Sequence, residues 1–99
     1  MKIPKKIKVG PHVYKVVRKK KIIDENGDEL RGECRAEERV ILIQSGLKNT
    51  RLCETFLHEI VHAIDEENQM ELGENRVNII GLNLMQIIVD NKLDFLSLD

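Results

Sequence analysis

The sequence has no tryptophan, one tyrosine and two phenylalanines, so any core it builds must be aliphatic, made of Ile, Leu and Val. Its two cysteines, Cys34 and Cys53, are too few for a disulfide framework and lack C-x-x-C spacing. Both are expected as reduced thiols, with zinc ligation the lesser alternative for either. No apolar run approaches the ~20 residues of a membrane span, and Met1-Lys2-Ile3-Pro4-Lys5-Lys6 lacks the apolar stretch of a secretion signal. A cytoplasmic setting without membrane is therefore expected. Repeats, low-complexity tracts and linkers are also missing, and 99 residues suit one domain, 1–99, with no separate substrate-binding unit. A small aliphatic core is marginal in stability, so a bound metal would help to hold it.

The net charge of -1 conceals an asymmetry. Residues 1–21 hold nine Lys or Arg and no acid, whereas the other seven bases share their stretch with all seventeen acids. A basic segment of this kind suits either an anionic partner or the solvated, lysine-protected face of early strands. With few aromatics there to stack on bases, the second is favoured and nucleic acid is not the expected partner.

Secondary structure divides the chain in two. Lys6 to Val9 and Val13 to Ile23 interleave β-branched residues with lysine around Gly10-Pro11, which suits two strands and a turn. Asp24-Glu25-Asn26-Gly27-Asp28-Glu29 is a hairpin signal, Leu30 to Arg35 the returning strand, and Arg39 to Gln44 the clearest strand of all. The first half is thus expected as a β-meander of three or four strands. The second half is expected as two helices, near 49–67 and 74–91, broken around Leu72-Gly73. Asn49 and Thr50 are candidate N-caps, and Glu54 sits in the opening turns. The second helix is apolar almost all round, from Val77 to Val89, which predicts either the central packing element or a dimer face. Leu93 to Asp99 reads as a short tail. The fold class is therefore α+β: a small antiparallel sheet of three to four strands packed on two main C-terminal helices.

Chemistry enters at His58-Glu59-Ile60-Val61-His62. Residues i and i+4 of a helix point the same way, so both imidazoles can reach one ion, with Glu59 beside them as a base. By chance alone H-E-x-x-H would occur in about one such chain in a hundred. Here the helix is independently supported, because Leu52, Phe56, Ile60, Ala63 and Ile64 recur at helical spacing. The alternative is a core helix with two partly buried histidines, which leaves the carboxylate between them without a task.

A hydrolytic zinc needs three protein ligands and an open position, so a third must come from Asp65, Glu66, Glu67, Glu71 or Glu74. Asp65 shares the ligand face but lies one turn further on, which suits orienting an imidazole, or plain solvation, better than ligation. Glu66 and Glu67 point elsewhere and are expected to face water. Glu71 or Glu74 can return from the second helix, and Glu74 is favoured because it opens the register Glu74, Val77, Gly81. Gly81 would then allow close helix approach, unless it is an ordinary mid-helix glycine.

Most of the chain resembles the gluzincin metallopeptidases, and among them the very small minigluzincins and phage-like H-E-x-x-H proteins; ImmA/IrrE-type peptidases are similar more distantly. The resemblance is carried by Lys8-Val9-Gly10, Tyr14-Lys15-Val16, Gly32-Glu33-Cys34, Arg39 to Ile43, Glu54 to Ile64 and Glu74-Asn75-Arg76-Val77. It implies a minimal zincin-like fold in which His58, His62 and Glu74 hold Zn²⁺, Glu74 standing three residues before an apolar position. It also implies peptide-bond hydrolysis with Glu59 as general base. On this basis the expected partners are a peptide or protein substrate, with self-inhibition by residues 91–99 or a regulatory chain, in a monomer or homodimer. Val40 to Ile43 is expected either as a sheet edge for an extended substrate or as a buried central strand. Larger gluzincins have an oxyanion-stabilising His, Tyr or Arg with no assignable counterpart here; the nominal candidates His12, Tyr14 and Arg76 each read more readily as structural or surface residues. The alternative function is a zinc-stabilised interaction module that cleaves nothing.

Overall fold

Strict alternation along the first strands decides which side of the sheet is covered. A computed structural model describes residues 2–93, and its elements are β1 (Lys6–Val9), β2 (His12–Lys19), β3 (Ile22–Ile23), β4 (Glu29–Leu30), β5 (Gly32–Arg35), β6 (Val40–Gln44), α1 (Asn49–Asn68) and α2 (Gly73–Asp90). The class is α+β, as the sequence indicates: a four-stranded sheet in the order β1-β2-β6-β5, a separate β3-β4 ribbon, then two helices. On the inner face Val9, Tyr14, Val16, Ile41 and Ile43 join Leu47, Leu52, Phe56 and Ala63 in one core. The Val, Ile, Leu and Phe side chains among them each stabilise by about 1.5–3 kcal/mol when fully buried. On the outer face Lys6, Lys8, Lys15 and Lys19 stay exposed.

The pairing departs from a meander. β1 and β2 form an antiparallel hairpin, turned at Gly10 with φ 58°, and β5 runs antiparallel to β6. β2 and β6, however, are parallel, from Lys15↔Val40 to Lys19↔Gln44. The stretch read as one strand from Val13 to Ile23 breaks at Lys20-Lys21, just where β2 loses its partner beyond Gln44. Likewise Leu30 to Arg35 splits at Arg31: β4 pairs with β3, and β5 with β6. The hairpin signal at 24–29 is realised in the ribbon, where the Asp24 carboxylate accepts from the Asn26 and Asp28 amides at 2.8 and 2.9 Å and Gly27 takes φ 83°. Arg18 staples the parallel pair by donating to the carbonyls of Gln44, Ser45 and Leu47.

α1 lies across the inner face. Its N-cap is Lys48, without a side-chain cap bond, so neither Asn49 nor Thr50 caps it, and no acid occupies its first turn. A second tie fixes its far end: the Glu67 carboxylate accepts from Tyr14 Oη at 2.7 Å and lies 2.6 Å from His12 Nδ1. Glu67 therefore does not face water as expected. The turn to α2 uses left-handed Gln69, Glu71 and Gly73, and the Asp65 carboxylate accepts from the Leu72 amide at 3.2 Å. Asp65 thus holds this turn and orients no imidazole. α2 packs mainly on α1, and only Val77 and Gly81 of it are buried. It is an outer layer, not the central packing element, because the sheet's inner face is already filled by α1. The tail read from 93–99 lies, beyond Leu93, outside the described residues.

Candidate metal centre

α1 carries His58 and His62 on one face, and their rings stand edge to face with centroids 4.8 Å apart. The first turn of α2 brings Glu74 to the same point. His58 Nε2 lies 2.7 Å from one Glu74 carboxylate oxygen and His62 Nε2 2.9 Å from the other. The three donor atoms all lie within 4.8 Å of one another, so the group can hold a metal ion. Two imidazoles and one carboxylate suit zinc and other borderline divalent ions alike. Glu71 is exposed and stands outside the group, and the half-buried Asp65 and Cys34 stand outside it too.

The approach of the two helices depends on Gly81. A Cβ there would lie 3.3 Å from His58 Cα, tighter than nearly all such contacts, so glycine lets α2 sit against the backbone that carries a ligand. The opposite wall depends on Gly32 of β5 in the same way. A Cβ at Gly32 would come within 2.7 Å of Thr55 Cγ2 and 3.1 Å of Glu59 Cγ and Oε2. The edge strand therefore lies almost on the motif helix.

Glu59, between the two histidines, is 5% exposed. Burial, then the neighbouring Glu74 and Glu33 carboxylates, push its pKa up from 4.5 to about 8. It is a carboxylate that gives up its proton reluctantly unless a cation arrives nearby. Two lobes of open space meet at His58 and Glu59. One, of about 310 Å³, runs past Glu33, Cys34 and Glu66 beside His62 and Glu74; the other, of about 210 Å³, runs past Arg31, Thr55 and Asn78. Burial, followed by Glu59, raises the Cys34 thiol to about 12, so it is a neutral wall of the cleft.

The sequence reading did not single out Gly32, Thr55 or Asn78 as site residues. Asn78 follows Glu74 by one helical turn, a signal legible in the sequence; the nearness of β5 is not, because it depends on the sheet order. Of the two expectations for Val40 to Ile43 the central strand holds: β6 lies between β2 and β5, and the edge facing the cleft is β5. His12 and Tyr14 are committed to Glu67 and line neither lobe, while Arg76 is exposed and lines neither. Comparison with protein-family models, curated proteins and solved structures found no match. No helix among the described residues is long and apolar enough to cross a membrane.

Proposed function

We propose that the chain is a gluzincin-type, zinc-dependent metallopeptidase, with His58, His62 and Glu74 as zinc ligands and Glu59 as general base. The observation that carries this proposal is the convergence of two imidazoles and a carboxylate from separate helices beside a buried carboxylate, in a cleft open to solvent. Held there by His58, His62 and Glu74, zinc would polarise a peptide carbonyl and lower the pKa of water to about 7. Glu59 would accept the proton of the attacking water and return it to the leaving amine. β5 ends the sheet, so its outward N–H and C=O groups are available to an extended peptide, which would add as a further strand and align its scissile bond over Glu59. Backbone pairing gives weak sequence preference, and the two lobes would receive the flanking side chains.

The test joins metal analysis with hydrolysis. Purified protein should hold close to one zinc per chain, and Glu59→Gln should retain the metal while losing cleavage of an unstructured protein substrate. Full hydrolysis by Glu59→Gln refutes the catalytic assignment, and failure of His58→Ala to lower metal content refutes the ligand assignment.

A second reading, a zinc-stabilised interaction module, is favoured by one observation: the candidate oxyanion groups His12 and Tyr14 are bound to Glu67 instead. In that case Glu59→Gln leaves partner binding intact and wild-type protein cleaves nothing, while metal removal destabilises the fold.

A further inference from the structure

The cleft continues beyond the metal centre. A third space, of about 330 Å³, is walled by residues 34–38 and by Glu66, and it shares Cys34 and Glu66 with the lobe beside His62. The three spaces thus follow β5 in a row, from Arg31 past Gly32 to Glu38, with α1 alongside from Glu54 to Glu66. Their charges differ. The first sets Arg31 against Glu54 and Glu59, whereas the other two together hold six Glu side chains and one guanidinium, that of Arg35. Arg35 is already paired with Glu33 at 2.6 Å. A divalent ion at the centre would offset two of the six charges and Arg35 a third, which leaves the far end acidic.

Glu66 follows His62 by one turn of α1, so it shares the cleft face instead of pointing elsewhere. Glu37, Glu38 and Glu66 are exposed, and none of them enters an ion pair among the described residues. Behind them Glu59, 5% exposed and likewise without an ion pair, opens into the lobe that Glu66 lines. A buried carboxylate with no partner is costly until a cation or a proton reaches it. The neutral Cys34 thiol lies under the combined field of Glu59, Glu66 and Glu33. The acids of the far space are nevertheless set too widely for a second ion: His58, His62 and Glu74 are the one group among the described residues whose donor atoms converge on a metal. A long side chain with several N–H donors is the cation that such spacing accommodates.

We propose that the space walled by Glu37, Glu38 and Glu66 receives the side chain of a lysine or arginine from a peptide lying along β5, which makes the cleft selective for basic sequences. Cleavage near that residue rests on the peptidase reading above; its binding does not. A strand added to β5 would advance about 3.3 Å per residue and send alternate side chains to one face. Because Gly32 lies against Glu59 and residues 34–36 line the far space, the basic residue would stand roughly two to four positions from the one over Glu59.

Anisotropy titrations of zinc-loaded Glu59→Gln protein, which would bind peptide without cutting it, test the proposal. The probe is a short labelled peptide of neutral residues with one central Lys, Gln or Glu. The Lys peptide should bind about 10-fold more tightly than the Gln peptide, and the Glu peptide most weakly. Glu37→Gln with Glu66→Gln, both at exposed unpaired positions, should cut that preference to about 2-fold while leaving the Gln peptide unaffected. Glu25→Gln, the same charge change in the β3-β4 ribbon, should leave it intact, and about 1 M salt should erase it. Equal affinity for the Lys and Gln peptides, no binding of the Lys peptide, or a preference indifferent to the Glu37 and Glu66 changes overturns the proposal. With wild-type protein and an unstructured protein substrate, cuts should fall at one fixed short distance from Lys or Arg. A Lys preference without any cleavage would refute the peptidase reading and leave this one standing; cleavage with equal peptide affinities would do the reverse.

Discussion

Replacing Gly32 by alanine probes the closeness of β5 to the motif helix through a single methyl group. Gly32 does not occupy the left-handed region, so alanine suits its backbone and any effect comes from contact alone. The added carbon would stand 2.7 Å from Thr55 Cγ2, roughly 1 Å inside ordinary carbon–carbon contact. Neither neighbour can yield freely. Thr55 is 7% exposed on α1, and Gly32 is paired to Ile43 within the sheet. Overpacking of this kind costs about 2 kcal/mol, which in a domain of this size lowers Tm by roughly 10 °C. If β5 withdraws by about 1 Å instead, the proposed peptide hydrolysis should fall on the order of 100-fold with metal content unchanged. Thr55→Ser removes the methyl that clashes, leaving the flexible Glu59 side chain at 3.1 Å. The double substitution should therefore recover most of the lost stability. Thermal and denaturant unfolding of the four proteins in this cycle provides the measurement. A Gly32→Ala protein as stable as wild type, or additive effects of the two changes, would refute the argument.

Two further outcomes concern ionisation. In metal-free protein the raised pKa of Glu59 means that its proton must be kept on folding, so stability declines as pH rises from about 4.5 towards 8. At pH 7 the cost is about 3 kcal/mol, which Glu59→Gln should abolish together with that part of the pH dependence; identical pH–stability curves for the two proteins would count against it. Glu67 behaves oppositely: the hydrogen bonds from Tyr14 and then from His12 lower its pKa. Its contribution is present above the ordinary carboxylate range and fades as pH falls through the lowered value, so Tyr14→Phe should raise the acid-unfolding midpoint. An unchanged midpoint would detach this cluster from acid stability.

The α+β class and the bounds of both helices were legible because apolar spacing changes from two to near four around Ser45-Gly46. The pairing of His58 with His62 follows from helix geometry alone, and Glu74 could be reached by asking which acid begins the next helix. Sheet order could not be read in that way. The parallel match of β2 with β6 is set by residues far apart in sequence, and nothing in Val40-Ile41-Leu42-Ile43 says which neighbour it will take. For the same reason β5 was not distinguished as the edge, and Glu67 appeared as one solvated acid among several. The apolar run in α2 was visible, but periodicity does not say how much of it the rest of the chain covers.

The link between His58 and Glu74 spans 16 positions and joins a helix rooted in the core to one that rests chiefly on that helix. A cation gripped at both ends would behave as a removable rivet. Its withdrawal would loosen the outer helix well before the sheet notices, so amide exchange in residues 74–90 should report metal occupancy more sensitively than global unfolding does.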